Sequence, residues 1–479
     1  MMRAFVLKAL SGFRFPVKVR DSILRQPLWA VALLFSGGLA LWVVGAKSLP
    51  LVLAKTNLDF ASQFAPEHPV VLLARAEKQR RRLVELVAAQ QAEEKKSTKT
   101  SSKSGAGRYA APEIAGQQLT GDVDRNALRA EIRQLATQVL EADPLNARAF
   151  RLLAEASDEE GAVRGAMKVA FQLSRRETTA AFWLLNDSFQ RKDAAAVLNY
   201  ADVVLRTKGQ LAPLVMSYLG QLATDRENRG LLVAKLATNP LWRGTFFRHL
   251  PKSVPDPKIP LLILLDLKDS QRPVTDAELK PYLSMLLGQG RSELAYSAWL
   301  QHLPTSKLQD LGLLFNPSFD EAMNGLPFNW VITNRRYASV EADASSDNPD
   351  NRSLHLNLGP GRIKFGEVRQ VLMLPPGTYR LAGSVKGALK GRRGVRWQLR
   401  CGKRLGDVLG QSELLLGDGP SWTQFSIDFA VPDGDSCRSQ TLRLFHHARS
   451  ASEQLIFGEL WFDNLRLTKV AGLPEGADG

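Results

Sequence analysis

Residues 369–385 read RQVLMLPPGTYRLAGSV, and this stretch decides the fold of the C-terminal part of the chain. Two short runs that alternate apolar and polar side chains flank the turn Pro375-Pro376-Gly377, in which proline presets φ and glycine accepts a positive φ. The same pattern continues in further runs at 395–401, 424–429, 441–445 and 459–467. Short alternating runs between turns predict an antiparallel β-sandwich over residues 311–470.

The part upstream of the sandwich has helical spacing and repeats itself. Ala149-Phe150-Arg151-Leu152-Leu153 aligns with Ala181-Phe182-Trp183-Leu184-Leu185 at a shift of 32 residues, and turns such as Asp143-Pro144-Leu145-Asn146 separate the units. Helix pairs of this period resemble the tetratricopeptide repeat, which implies an α-solenoid with a groove that receives a protein partner. A helical spacer without a ligand is the alternative.

We expect this helical-repeat domain over residues 55–310, with residues 91–122 as a disordered loop. The loop is predicted because its central part, KKSTKTSSKSGAG, has almost no apolar side chain to bury.

The N-terminal part carries a long apolar run. Leu28 to Ala46 contains 19 residues without a charge, close to the length that crosses a hydrocarbon core of ~30 Å as a helix. Basic residues outnumber acidic ones before the run, which favours a cytoplasmic N-terminus. We therefore expect a basic tail at 1–27, a transmembrane signal anchor at 28–54, and a single-pass protein of a bacterial inner membrane with its bulk in the periplasm. A cleavable signal peptide is the alternative.

Net charge indicates the class of binding partner, and the cysteine content indicates a disulfide. The formal net charge of +15 favours an anionic partner, and an exported location would exclude nucleic acid. Cys401 and Cys437 are the two cysteines of the chain, and in an exported β domain they predict a disulfide. Two unpaired core thiols are the alternative.

The predicted sandwich resembles the jelly-roll carbohydrate-binding modules. The resemblance rests on Phe315-Asn316-Pro317-Ser318-Phe319-Asp320 at its start, on Gln370, on Trp422 before a strand, and on the closing Trp461-Phe462-Asp463-Asn464-Leu465-Arg466-Leu467. It implies a glycan-binding domain. It also places Asp320 and Asp463 where related jelly rolls often carry a structural calcium ion, and no other cofactor is expected.

Aromatic platforms and hydrogen-bonding side chains are the groups that would bind sugar. Trp422 lies beside the turn Gly419-Pro420-Ser421 and is the tryptophan expected to be exposed. The tryptophans expected in the core are Trp330, Trp397 and Trp461.

A basic run without an acid precedes Trp422 in the chain. Its eight members are Lys386, Lys390, Arg392, Arg393, Arg396, Arg400, Lys403 and Arg404. Because arginine forks match carboxylates, the predicted contacts for an acidic polysaccharide are Arg392, Arg393, Arg396 and Arg400, with Gln398 between the last two. A solvated hairpin is the alternative.

Sequence motifs for catalysis are absent, since the chain has no Gly-x-Ser-x-Gly elbow, phosphate-binding loop or His-Glu-x-x-His. We therefore expect a multidomain α plus β protein that is not an enzyme and ends in a tail at 471–479. The expected function is an accessory scaffold for surface-polysaccharide assembly or export. A pure protein-interaction scaffold and a polysaccharide-modifying enzyme are the alternatives.

Overall fold

The chain folds into helices followed by two antiparallel sheets. The computed structural model describes residues 27–43, 45, 48–101, 112–309, 311–344, 351–402 and 407–470. Contacts divide it into two compact units, Met1–Arg191 and Lys192–Gly479. The class is therefore mixed α and β, while the predicted domain boundaries stay predictions.

The first unit is helical. Its helices are α1 (Pro27–Val43), α2 (Leu49–Thr56), α3 (Leu58–Phe64), α4 (Pro69–Ser101), α5 (Pro112–Ala142), α6 (Ala147–Glu155), α7 (Glu160–Leu173) and α8 (Thr178–Gln190). Leu72 of α4, Leu135 and Val139 of α5 and Leu152 of α6 share one core. Asn146 begins α6 as an N-cap, because its Oδ1 accepts a hydrogen bond from the amide of Ala149 at 3.1 Å.

Two of the residue pairs that align at a shift of 32 have equivalent burial. Ala149 and Ala181 are both fully buried, as are Leu152 and Leu184. The pairs Arg151/Trp183 and Leu153/Leu185 differ in burial, and the assignment to tetratricopeptide repeats stays a prediction.

Residues 91–122 differ from the expected loop. Helix α4 continues to Ser101 and α5 begins at Pro112, so the loop is helical at both ends. The reason is the run of glutamine, alanine, glutamate and lysine at 90–96, which are strong helix formers even with little to bury. Residues 102–111 lie outside the described part.

The predicted membrane anchor is wrong. Within the residues that the structure describes, no helix has both the length and the apolar character needed to cross a membrane. In the described part of the run, α1 covers the 17 residues Pro27–Val43, and α2 covers Leu49–Thr56. At 1.5 Å per residue the described residues of α1 span about 26 Å, short of the ~30 Å core. The predicted location, a single-pass inner-membrane protein with its bulk in the periplasm, conflicts with this finding and is withdrawn.

The second unit begins with further helices. They are α9 (Ala194–Thr207), α10 (Ala212–Thr224), α11 (Arg226–Ala237), α12 (Arg243–Ser253), α13 (Ile259–Lys268), α14 (Asp276–Gly288), α15 (Ser292–His302) and α16 (Thr305–Gln309). Helix α14 starts at a capping box formed by Thr275 and Glu278. In α15, the Trp299 ring lies 5.2 Å from Phe315 and 5.5 Å from Phe328, which packs this helix against the start of the sandwich.

The sandwich contains ten strands in the described residues. They are β1 (Val331–Ile332), β2 (Ala338–Ala344), β3 (Arg352–Leu358), β4 (Val368–Leu372), β5 (Gly377–Gly391), β6 (Val395–Cys401), β7 (Val408–Gln411), β8 (Gly419–Val431), β9 (Gln440–His446) and β10 (Ile456–Val470). Sheet A has the order β1-β4-β9-β6-β7, and sheet B has the order β2-β3-β10-β5-β8. Every strand predicted above is present.

One core fills the space between the sheets. Trp330, Trp397 and Phe462 are fully buried in it, together with aliphatic residues from both sheets. The predicted disulfide is confirmed, because Cys401 and Cys437 are bonded with their Cα atoms 4.8 Å apart. Closing a loop of 36 residues restricts the unfolded chain by about 3–4 kcal/mol.

Candidate functional site

The basic run does not form a single patch, because its strands belong to different sheets. Lys386 and Lys390 lie on β5 in sheet B, whereas Arg396 and Arg400 lie on β6 in sheet A. Between the strands, Arg393 pairs with Glu453 at 3.3 Å and Arg392 is exposed. Lys403 and Arg404 lie outside the described residues.

Strand β6 presents its polar side chains on the outer surface of sheet A. Val395, Trp397 and Leu399 are fully buried in the core, so the alternation turns Arg396, Gln398 and Arg400 outward. The neighbouring strands add Arg443, which is paired with Gln398 in the register, and Arg369, which is paired with Arg443. We call the set Arg369, Arg396, Gln398, Arg400 and Arg443 the arginine face.

Gln398 organises this face. Its side-chain oxygen accepts hydrogen bonds from Nε and Nη2 of Arg443 at 3.1 and 2.8 Å and from Nη1 of Arg400 at 3.3 Å. Its amide nitrogen donates to Gln411 at 3.1 Å, and the residue is only 4% exposed. A neutral amide thus fixes two guanidinium groups side by side.

Arg443 and Arg396 are the cations of this face that have few partners. Burial lowers the pKa of Arg443, and the positive charge of Arg400 lowers it further. In the described part of the chain, Arg443 forms no ion pair, and the buried Nε of Arg396 has no hydrogen-bond partner. Glu367 pairs with Arg369 at 2.7 Å. Like charges on neighbouring strands destabilise a sheet, so an anion bound here would relieve repulsion.

Sheet B carries an aromatic row on its outer surface. Trp422 is 42% exposed, as predicted, and its ring centroid lies 4.8 Å from the ammonium of Lys386. The same ammonium lies 5.5 Å from the Trp461 ring, which stacks on His355 at 4.4 Å. We call Trp422, Lys386, Trp461 and His355 the aromatic row.

Trp461 was expected in the core, and that expectation is wrong. Its neighbours Leu460 and Phe462 occupy the inward positions of β10 at full burial, so the alternation turns Trp461 outward. Trp330 and Trp397 are in the core, as expected.

The carboxylates predicted to bind calcium lie close together. Asp320 Oδ1 accepts a hydrogen bond from the amide of Arg352 at 2.8 Å, and Asp463 is 5% exposed. Burial raises the pKa of Asp463, and the negative charge of Asp320 raises it further. Among the described residues no group of three or more His, Cys, Asp or Glu side chains is placed to hold a metal ion. The calcium site stays a prediction.

Sequence reasoning missed Arg369 and Arg443 on the arginine face. Both lie outside the basic run, and only the strand order places Arg443 on β9 beside β6 and Arg369 on β4 beyond β9. The alternation in Leu442-Arg443-Leu444 already indicated an outward arginine, but it did not indicate which strand lies next to it.

Comparisons with known proteins give similarity to solved structures alone. No protein-family model matches the chain, and no curated protein matches it. The solved structures include a Family 16 carbohydrate-binding module at 18% identity and a TM-score of 0.24, which covers 33% of this chain and 100% of that one.

Two further structures show similarity of the same kind. TmCBM61 in complex with β-1,4-galactotriose is 17% identical with a TM-score of 0.23, and covers 33% of this chain and 99% of that one. The CBM22-1 xylan-binding domain of Paenibacillus barcinonensis Xyn10C is 14% identical with a TM-score of 0.23. This match covers 33% of this chain and 93% of that domain. Similarities of this size assign no ligand to the chain.

Proposed function

We propose that the sandwich binds a glycan without chemical conversion, and that the arginine face of sheet A binds the acidic groups of a polysaccharide. The observation that carries the proposal is the arrangement around Gln398, which holds Arg400 and Arg443 together with no carboxylate bonded to Arg443 in the described residues. Arginine forks match carboxylate and sulfate oxygens in geometry as well as in charge.

Two other features support a glycan as the ligand. The Phe445 ring lies 4.2 Å from the guanidinium of Arg443, so an apolar ring adjoins the cations, as the mixed character of a sugar requires. On the opposite sheet, the aromatic row exposes Trp422, which is the arrangement expected of a surface that binds neutral sugar rings. Neutral glycan at Trp422 is the second candidate.

A panel of soluble polymers tests the proposal on the full chain. We expect polygalacturonate and alginate to bind more tightly than neutral xylan, and Arg443→Gln to lower the affinity for the acidic polymers by about tenfold or more. Arg206→Gln is the matched control, because Arg206 is 52% exposed and paired with Asp202 on a helix. Neutral binding should depend on Trp422→Ala instead. Equal binding of acidic polymers by Arg443→Gln and wild type would reject the arginine face.

We also propose that the helical part is an arm for a protein partner, in an accessory scaffold for polysaccharide assembly or export. Full burial of the aligned pairs Ala149/Ala181 and Leu152/Leu184 supports a stack of repeated units, and such stacks commonly bind protein in their groove. Crosslinking mass spectrometry in cells should join Lys168 of α7 to one recurrent protein. Crosslinks confined to the sandwich would contradict the arm.

A further inference from the structure

A small cavity lies between helix α14 and the outer surface of sheet A, within the second unit. Its volume is about 60 Å³, and its walls include Lys280 of α14, Gly325 of the loop before β1, Arg369 of β4 and Thr441 of β9. A cavity needs at least ~10–15 Å³ of such volume to hold one water, so this one has room for water or one small anion.

The residues that line this cavity are positive or neutral. Lys280 and Arg369 supply two cations, and no carboxylate is among the lining residues. In the part of the chain described here, the ammonium of Lys280 forms no ion pair, whereas Arg369 is oriented by Glu367 at 2.7 Å. An anion is the occupant that this charge pattern favours.

Gly325 leaves the space that the lysine occupies. It has a φ of +73°, and a Cβ placed on it would lie 3.1 Å from the Lys280 ammonium. A larger residue at this position would therefore be strained and would press on the ammonium.

The cavity adjoins the arginine face. Arg369 lines it and lies directly opposite Arg443 in the register of β4 and β9. Thr441, which also lines it, lies opposite Arg400 in the register of β9 and β6. A polysaccharide bound to Arg400 and Arg443 would therefore lie next to two residues that line the cavity.

We propose that this cavity is a subsite for one oxyanion substituent, a carboxylate or sulfate, of the acidic polysaccharide, so that helix α14 forms part of the glycan site. The inference rests on the proposed function of the arginine face. It assigns Lys280 and Arg369 to recognition of the substituent and gives the helices that precede the sandwich a direct role in binding.

The test uses the full chain with Lys280→Met, which keeps the length of the side chain and removes its charge. Lys252→Met is the matched control, because Lys252 is an exposed lysine near the end of α12. We expect Lys280→Met to weaken polygalacturonate binding by about three- to tenfold, as for the loss of one partly screened charge-assisted hydrogen bond. Binding of the fully methyl-esterified polymer should not change, and Lys252→Met should behave as wild type.

The possible results separate the subsite from the proposed function. If Arg443→Gln weakens binding and Lys280→Met matches Lys252→Met, the subsite is rejected and the arginine face stands. If neither variant weakens polygalacturonate binding, the subsite and the arginine face are both rejected. A further arm adds sodium sulfate at constant ionic strength. Competition that is lost in Lys280→Met supports the cavity as the anion site. Sulfate binding that depends on Lys280, with no polymer binding, would overturn the polysaccharide as the source of the anion.

Discussion

Gln398 shows at the scale of one residue why the arginine face is ordered. Two guanidinium groups share its side-chain oxygen, and the residue is almost fully buried although it points away from the core. The sequence placed Gln398 correctly on the same face as Arg396 and Arg400. It could not predict the contact with Arg443, because that contact depends on which strand lies next to β6.

Asp463 is a residue whose charge is costly in the fold. Since the folded pKa is raised above the ordinary value of 3.8, the charged form is disfavoured, and its penalty grows as pH rises through the raised pKa. We expect Asp463→Asn to be more stable than wild type at pH 7 in EDTA, with the difference lost below about pH 3.8. Urea unfolding at both pH values measures this.

The matched control for Asp463 is Asp418→Asn, since Asp418 is exposed. An Asp463→Asn protein that is less stable than wild type at pH 7 in EDTA would contradict the account. A second unfolding measurement adds calcium. An ion bound by Asp320 and Asp463 would stabilise wild type and leave the stability of Asp463→Asn unchanged.

At the scale of elements, the prediction succeeded where a local pattern decides the structure. The alternation in 395–401 and the Pro-Pro-Gly turn suffice to define β4, β5 and β6. The prediction failed where the structure depends on which strand lies next to another and in which register. Trp461 and Phe462 are both large and apolar, and only the register of β10 shows which of them enters the core. The apolar run at 28–46 has the composition of a membrane-crossing helix, but within the described residues no helix is long and apolar enough to cross a membrane.

Arg243 joins several helical elements of the second unit. It is 3% exposed, and it donates to Glu278 at 2.8 Å and to the carbonyl oxygens of Leu236, Arg272 and Pro273. Its guanidinium thereby connects α11, the start of α12 and α14.

Removal of this arginine takes an ion-pair partner from the largely buried Glu278 and a hydrogen-bond donor from three carbonyl groups. We expect Arg243→Met to lower the free energy of unfolding by about 3–5 kcal/mol, as for other broken buried ion pairs. Arg206→Met, at an exposed i,i+4 pair, should cost less than about 1 kcal/mol. Chemical denaturation of the full chain compares them, and equal losses in the two variants would refute the structural role of Arg243.

At the scale of the whole molecule, the two outer surfaces of the sandwich differ in charge. The net charge of +15 is a property of the full chain, yet the arginine face lies on sheet A, while sheet B mixes Lys386 with the nearby acids Asp343 and Glu459. Composition alone indicated an anionic partner. It could not show that the basic run is divided between two opposite surfaces, because that follows from the crossing of β5 and β6 into different sheets.

The salt dependence of polygalacturonate binding by the full chain tests the central claim most directly. The account predicts that affinity falls steadily between about 50 and 500 mM NaCl, because salt screens the contacts of Arg400 and Arg443. It also predicts a weaker affinity and a shallower salt dependence for Arg443→Gln, with Arg206→Gln unchanged. Binding that is independent of salt, or a salt dependence identical in Arg443→Gln and wild type, would contradict it.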